Sequence, residues 1–66
     1  MDIPALSNDS LIDLHAAIRA ALAKDDATTD GPKPFGVREH SDWRIWANEL
    51  ETELDKRRIA YAAIPW

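Results

Sequence analysis

A run of turn-forming residues near the middle of the chain limits the folds that are open to it. Residues 28–34 contain two prolines, a glycine and an aspartate. Proline has no backbone N–H and its ring clashes with the preceding helical turn, so a helix cannot continue through this run. We therefore expect one small domain over residues 1–66, in which a loop over residues 25–34 joins two separate elements.

The residues before this loop predict an amphipathic helix. Ser7 is a good N-cap residue, because its hydroxyl oxygen can accept a hydrogen bond from a free backbone N–H of the first turn. After it, apolar residues recur at spacings of three and four, which is typical of a helix with one buried face: Leu11, Leu14, Ile18 and Leu22. Lys24 suits the C-terminal end of a helix dipole, whereas Asp25 does not. The prediction is a helix over about Ser7–Lys24.

A second helix is predicted after the loop. Ser41 is its expected N-cap, and Asp42 places negative charge in the first turn. The core stripe consists of Trp43, Ala47, Leu50 and Leu54. Glu53 stands four residues before Arg57, the spacing at which two side chains form an ion pair on a helix surface. The prediction is a helix over about Ser41–Arg58.

The C-terminal residues from Ile59 to Trp66 are consistent with three structures. Tyr61 and Ile64 could continue the stripe of Leu50 and Leu54, which would carry the second helix to just before Pro65. We instead expect an extended aromatic tail that packs back on the helices. The resulting fold class is mostly α, with two antiparallel helices joined by a long Pro/Gly loop. The alternative is an α+β fold with a minimal two-stranded element formed by residues 35–38 and 59–64.

The three tryptophans lead us to expect that the chain contacts a partner. A chain of 66 residues buries only about 60% of the surface that it exposes when unfolded, and this one has no cysteine to form a disulfide. A protein partner or self-association would add buried surface. Trp43 is expected in the core. The predicted partner-binding residues are Ile45, Trp46, Tyr61 and Trp66. Ile45 points away from Trp43, so either Met1 and Ile3 cover it or another chain does.

No pattern of catalytic, cofactor or metal chemistry is found in the sequence. Glycine occurs only twice, which excludes a phosphate-binding glycine loop. His15 is expected to be structural or on the surface. His40 stands near Glu39 and Asp42, but acidic residues at the start of a helix are explained by its dipole. We predict no catalytic residue, no cofactor, no metal site and no small-molecule substrate, and therefore no enzyme activity.

The second half of the chain resembles a group of known sequences. Lys33–Glu39, the residues Asp42, Trp43, Trp46 and Leu50, and the final Ile64–Trp66 resemble small uncharacterised proteins of alphaproteobacteria, some of them carried by prophages. This resemblance implies no activity. The order of helix, loop and helix also resembles small phage head–tail joining proteins, which have a longer β-hairpin between their helices.

The composition and net charge narrow the classes of function that we expect. A net charge of −4 argues against nucleic acid as a partner, although Lys56–Arg58 forms one basic cluster. No segment approaches the roughly 20 apolar residues that cross a bilayer, and no signal peptide is recognised, so we expect a cytoplasmic protein. The first hypothesis is a non-catalytic protein–protein interaction module of bacterial or phage origin. The alternatives are a phage structural or inhibitor protein and a small metal- or nucleic-acid-linked regulator.

Overall fold

The fold is a hairpin of two antiparallel helices with a terminal segment on each side. A computed structural model describes residues 2–66, and Met1 lies outside the described residues. A 3-10 turn over Ile3–Ala5 precedes helix α1, Asn8–Ala27, and helix α2 follows at Ser41–Lys56. Residues 2–66 contain no β-strand. The mostly α prediction is therefore confirmed, and the alternative with paired strands at residues 35–38 and 59–64 is wrong.

Helix α1 begins where the sequence predicts and ends three residues later than predicted. Ser7 is the N-cap, and its Oγ accepts a hydrogen bond from the Ser10 N–H at 3.1 Å. The predicted end at Lys24 is wrong, because the last turn has partners that the local sequence does not show. Asp25 is buried and binds the loop, and the Thr28 hydroxyl donates to the Lys24 carbonyl at 2.9 Å. Hydrogen bonds of this kind offset the unfavourable position of an acidic side chain near a helix C-terminus.

The start of α2 differs from the prediction by one residue. Ser41 lies inside the helix, and His40 is the N-cap without a side-chain capping bond. Predicting Ser41 as the cap is therefore wrong. The reason is the preceding turn, in which the Gly36 carbonyl accepts from the N–H groups of Glu39 and His40, both at 3.1 Å. This turn directs the backbone into the helix before Ser41 is reached.

The end of α2 is a Schellman motif with an unusual residue. The helix ends at Lys56, two residues before the predicted Arg58, which instead has a left-handed backbone with φ of 58°. The Arg58 N–H donates to the Asp55 carbonyl at 3.0 Å, and the Ile59 N–H donates to the Leu54 carbonyl at 2.9 Å. These two bonds satisfy carbonyls at the helix end, in a position that glycine usually occupies.

The core lies between the facing sides of the two helices. Its fully buried members come from both predicted stripes and from the loop: Leu11, Leu22, Val37, Leu50 and Leu54. Leu14 and Trp43 are half-buried at the edge of this cluster. Burying a leucine side chain contributes about 1.5–3 kcal/mol, so these residues supply most of the stabilisation available to so small a core.

The two ends of the chain cover different parts of the hairpin. Ile3 is buried and packs with α2, and Arg57 holds this N-terminal segment by donating to the carbonyls of Leu6 at 2.7 Å and Pro4 at 3.0 Å. Arg57 also forms the predicted ion pair with Glu53, at 2.9 Å. Residues 59–66 form neither helix nor strand and bury Ile64 against the core.

Candidate partner-binding groove

An apolar groove runs between α1 and α2 on one face of the hairpin. It has a volume of about 830 Å³ and is open to solvent. The α1 wall is rich in alanine and also contains Leu14, Ile18 and Lys24; its alanines are Ala17, Ala20, Ala21, Ala23 and Ala27. The opposite wall is formed by Trp43, Trp46 and Leu50, and Phe35 from the loop lies at one end. Because alanine has only a methyl side chain, another backbone can approach the α1 wall closely.

Three aromatic rings form the opposite side of the groove. Phe35 and Trp43 meet edge to face with ring centroids 6.3 Å apart, and Trp43 and Trp46 do so at 6.1 Å. This geometry is favourable for aromatic pairs, so the contacts stabilise the observed ring orientations. Phe35 and Trp46 each remain 44% exposed, whereas Trp43 is half-buried beneath them. The row therefore presents two exposed rings that are already held in place.

Asp25 positions Phe35 through two hydrogen bonds. Its Oδ1 accepts from the Phe35 N–H at 2.9 Å, and its Oδ2 accepts from the Val37 N–H at 2.8 Å. Between these two donors, Gly36 has a φ of 65°, and a Cβ at this position would lie 3.1 Å from the His40 ring. A side chain at residue 36 would therefore strain the backbone and crowd His40. The carboxylate and the glycine together fix the direction in which Phe35 leaves the loop.

A surface ion pair supports the same loop. The Arg38 guanidinium binds both carboxylate oxygens of Asp26, at 3.0 and 2.9 Å. This hydrogen bonding lowers the pKa of the Asp26 carboxyl and raises the pKa of Arg38. Both side chains are 45% exposed, so solvent screens the pair and its contribution to stability is small. Arg38 also donates to the carbonyls of Pro65 and Trp66, which connects the loop to the tail.

The tail covers the other face of the hairpin. The Tyr61 ring lies 4.8 Å from the His15 ring, and Arg19 donates to the Ala63 carbonyl at 3.3 Å. At the far end, the Arg44 guanidinium lies 5.4 Å from the Trp66 ring centroid, within the range of a cation–π contact. His15 and Arg19 lie on one side of the buried α1 stripe, and the groove residues Ala17 and Ala21 lie on the other. The tail therefore leaves the groove open.

His15 joins the two helices and the tail. It is 3% exposed, and its Nε2 lies 2.8 Å from the Glu51 Oε2. Burial of the neighbouring Tyr61 hydroxyl raises its pKa, and the carboxylates of Asp55 and Glu51 raise it further. His15 was expected to be structural or on the surface, and its burial between these partners places it in the structural role.

The four predicted partner-binding residues lie in three different places. Trp46 borders the groove, whereas Tyr61 and Trp66 are half-buried in the tail on the other face. Ile45 is 50% exposed on the outer side of α2 and belongs to neither surface. Ile3 packs elsewhere on α2, and the proposed cover by Met1 falls outside the described residues. Of the four residues, the structure places only Trp46 beside other exposed apolar residues of the groove. The partner role of all four stays a prediction.

The alanines of α1 and Phe35 were not predicted to be parts of one surface. The alternative α+β fold placed Phe35 at the start of a strand, whereas the structure places it at one end of the groove. The available signal for the wall was the spacing of Ala17, Ala20 and Ala27, which follow one another at three and seven residues and therefore share one helix face. Alanine is a strong helix former, so its abundance was sufficiently explained by helix propensity.

Residues 2–66 show no candidate metal cluster and no membrane-spanning helix. This part of the chain holds no group of three or more His, Cys, Asp or Glu side chains arranged to bind a metal ion. Neither of its helices combines the length and the apolar character that are needed to cross a bilayer. Comparison with protein-family models, curated proteins and solved structures finds no match.

Proposed function

We propose that this chain is a non-catalytic protein–protein interaction module and that the apolar groove is its binding surface. One observation carries the proposal: two exposed aromatic rings, Phe35 and Trp46, border an open apolar groove whose other wall is rich in alanine. Aromatic residues dominate the binding energy of many protein interfaces, especially where they are rigid and surrounded by apolar neighbours. The proposed setting, from the resemblance and the composition, is the cytoplasm of a bacterium or a phage-infected cell.

The shape of the groove favours a helical partner segment. An amphipathic helix binds in an apolar groove through side chains at spacings of three, four and seven residues. The alanines of α1 let such a helix approach at the short end of the usual 8–10 Å between helix axes. Trp46 and Phe35 would then contact its flank. No side chain in the groove wall other than Lys24 carries a charge, so an apolar helix face is the matching surface.

The proposal is tested by photo-crosslinking in cells that express the chain. A benzophenone amino acid replaces Trp46 in the groove, and in a matched control it replaces Ile12, which is 42% exposed elsewhere on α1. A specific crosslinked product from position 46, absent from position 12, is the expected result. Absence of any specific product from position 46 contradicts the proposal.

A second pair of variants ties the product to the groove. Ala20→Arg fills the groove with a long charged side chain and should abolish the crosslink from position 46. Ala16→Arg makes the same change at an exposed position of α1 that does not line the groove, and it should leave the crosslink intact. Arginine is a good helix former, so both variants should remain folded. Equal yields from the two variants would show that the partner does not bind in the groove.

A further inference from the structure

The exposed face of α1 beside the groove has a charge order that suits a specific occupant. We infer that α1 of a second copy of this chain fills the apolar groove, antiparallel to the first α1 and related to it by a two-fold axis. This inference rests on the proposed function, because it names the partner of the same groove. Its support comes from the charge complementarity of this face and from the two exposed aromatic rings that border the groove.

Four exposed residues form the centre of the proposed contact. Asp13, Ala17, Ala20 and Lys24 follow one another at spacings of four, three and four, so they share one side of α1. A negative charge stands at one end of this set and a positive charge at the other. The two charges are eleven residues apart in the sequence, which corresponds to about 16 Å along the helix axis.

This order is self-complementary only in the antiparallel direction. A two-fold axis midway between Ala17 and Ala20 places Asp13 of each copy opposite Lys24 of the other. The same axis places Ala17 opposite Ala20, so only methyl groups separate the two helices at the centre. A parallel pair would instead place like charges opposite each other, which is unfavourable. The charges therefore favour a symmetric antiparallel dimer.

The available area indicates that this dimer is weak. Phe35 and Trp46 expose 44% of their surface, or roughly 90 Å² each if a fully buried aromatic residue loses about 200 Å². The two rings together expose roughly 180 Å², and even with the small alanine side chains the groove stays well below the roughly 600 Å² per partner that a specific interface needs. We expect a dissociation constant on the order of 100 µM, and an assembly of four antiparallel helices.

Sedimentation equilibrium of the intact chain tests the dimer, over concentrations from about 10 µM to about 1 mM. Asp13→Lys and Lys24→Asp each create two pairs of like charges across the two-fold axis, and each should weaken the dimer roughly tenfold. The double variant restores opposite charges and should recover most of the affinity. Asp30→Lys makes the same charge change in the exposed loop and should have little effect. Circular dichroism checks that all variants keep their helices.

Two results would overturn the inference. One is a monomer at every concentration, and the other is a double variant at least as weak as the single variants. The crosslinker at position 46 distinguishes failure of the dimer inference from failure of the proposed function. A product of twice the chain mass supports the dimer. A product with a different protein, from a chain that sediments as a monomer, overturns self-association and leaves the groove as a binding surface.

Discussion

Replacing Asp25 by Asn tests whether this carboxylate holds the loop that carries Phe35. Asp25 is 2% exposed, and its two oxygens accept one backbone N–H each, from Phe35 and Val37. Asparagine has nearly the same shape but only one acceptor oxygen, so one N–H would face an NH₂ group. A hydrogen bond to a charged acceptor contributes about 1.5–3 kcal/mol, and we expect the free energy of unfolding to fall by about that amount. For a chain of 66 residues the total is about 3–10 kcal/mol.

The sign of the change in the free energy of unfolding shows whether Asp25 holds the loop or acts only on the dipole of its own helix. If Asp25 were only an acidic residue at the wrong end of a helix dipole, Asn would stabilise the protein by about 0.3–1 kcal/mol. If it holds the loop, Asn destabilises the protein. Denaturant unfolding followed by tryptophan fluorescence measures the difference. Amide shifts of Phe35 and Val37 show which bond is lost.

Asp26→Asn is the matched control for this experiment. Asp26 is the next residue in the chain, it is exposed, and it binds the Arg38 side chain rather than backbone N–H groups. Its substitution should have a much smaller effect on stability, because solvent screens an exposed ion pair. Equal effects of Asp25→Asn and Asp26→Asn, or a stabilising Asp25→Asn, would refute the reasoning.

Three other predictions concern the rest of the fold. Leu50→Ala should lower the free energy of unfolding by about 2–5 kcal/mol, because Leu50 is 1% exposed. Ile45→Ala should lower it far less, because Ile45 is 50% exposed. Comparable denaturation midpoints of the two variants would contradict this core assignment. Arg58→Gly should stabilise the protein by up to about 1 kcal/mol by removing a left-handed non-glycine residue, and a lower thermal midpoint would argue against that conformation. Because the pKa of Tyr61 is raised above its ordinary value of 10.0, its neutral hydroxyl stabilises the fold below that pH, and this contribution is lost as the pH rises through the raised pKa. Tyr61→Phe should therefore reduce the loss of folding stability at alkaline pH. A free energy of unfolding that varies with pH as in the parent chain would contradict this prediction.

The sequence by itself determined the number, type and approximate position of the helices. The Ser7 cap, the apolar stripes of both helices and the proline run between them are local signals, because each depends on residues within one or two helical turns. The same signals set which side of each helix is buried. They do not reach beyond a few residues, so the end of α1 and the first residue of α2 were predicted wrongly.

Only the tertiary structure decided where Asp25 and the alanines of α1 act. The acceptors of Asp25 bind donors 10 and 12 residues later in the chain, and no local pattern shows that such donors will be near. The groove depends in the same way on which face the tail covers. His15, Arg19 and Arg44 hold the tail on one side of the hairpin, which leaves Ala17, Ala20 and Trp46 exposed on the other. Contacts between residues distant in sequence depend on how the helices and tail pack together, and helical periodicity alone does not contain that information.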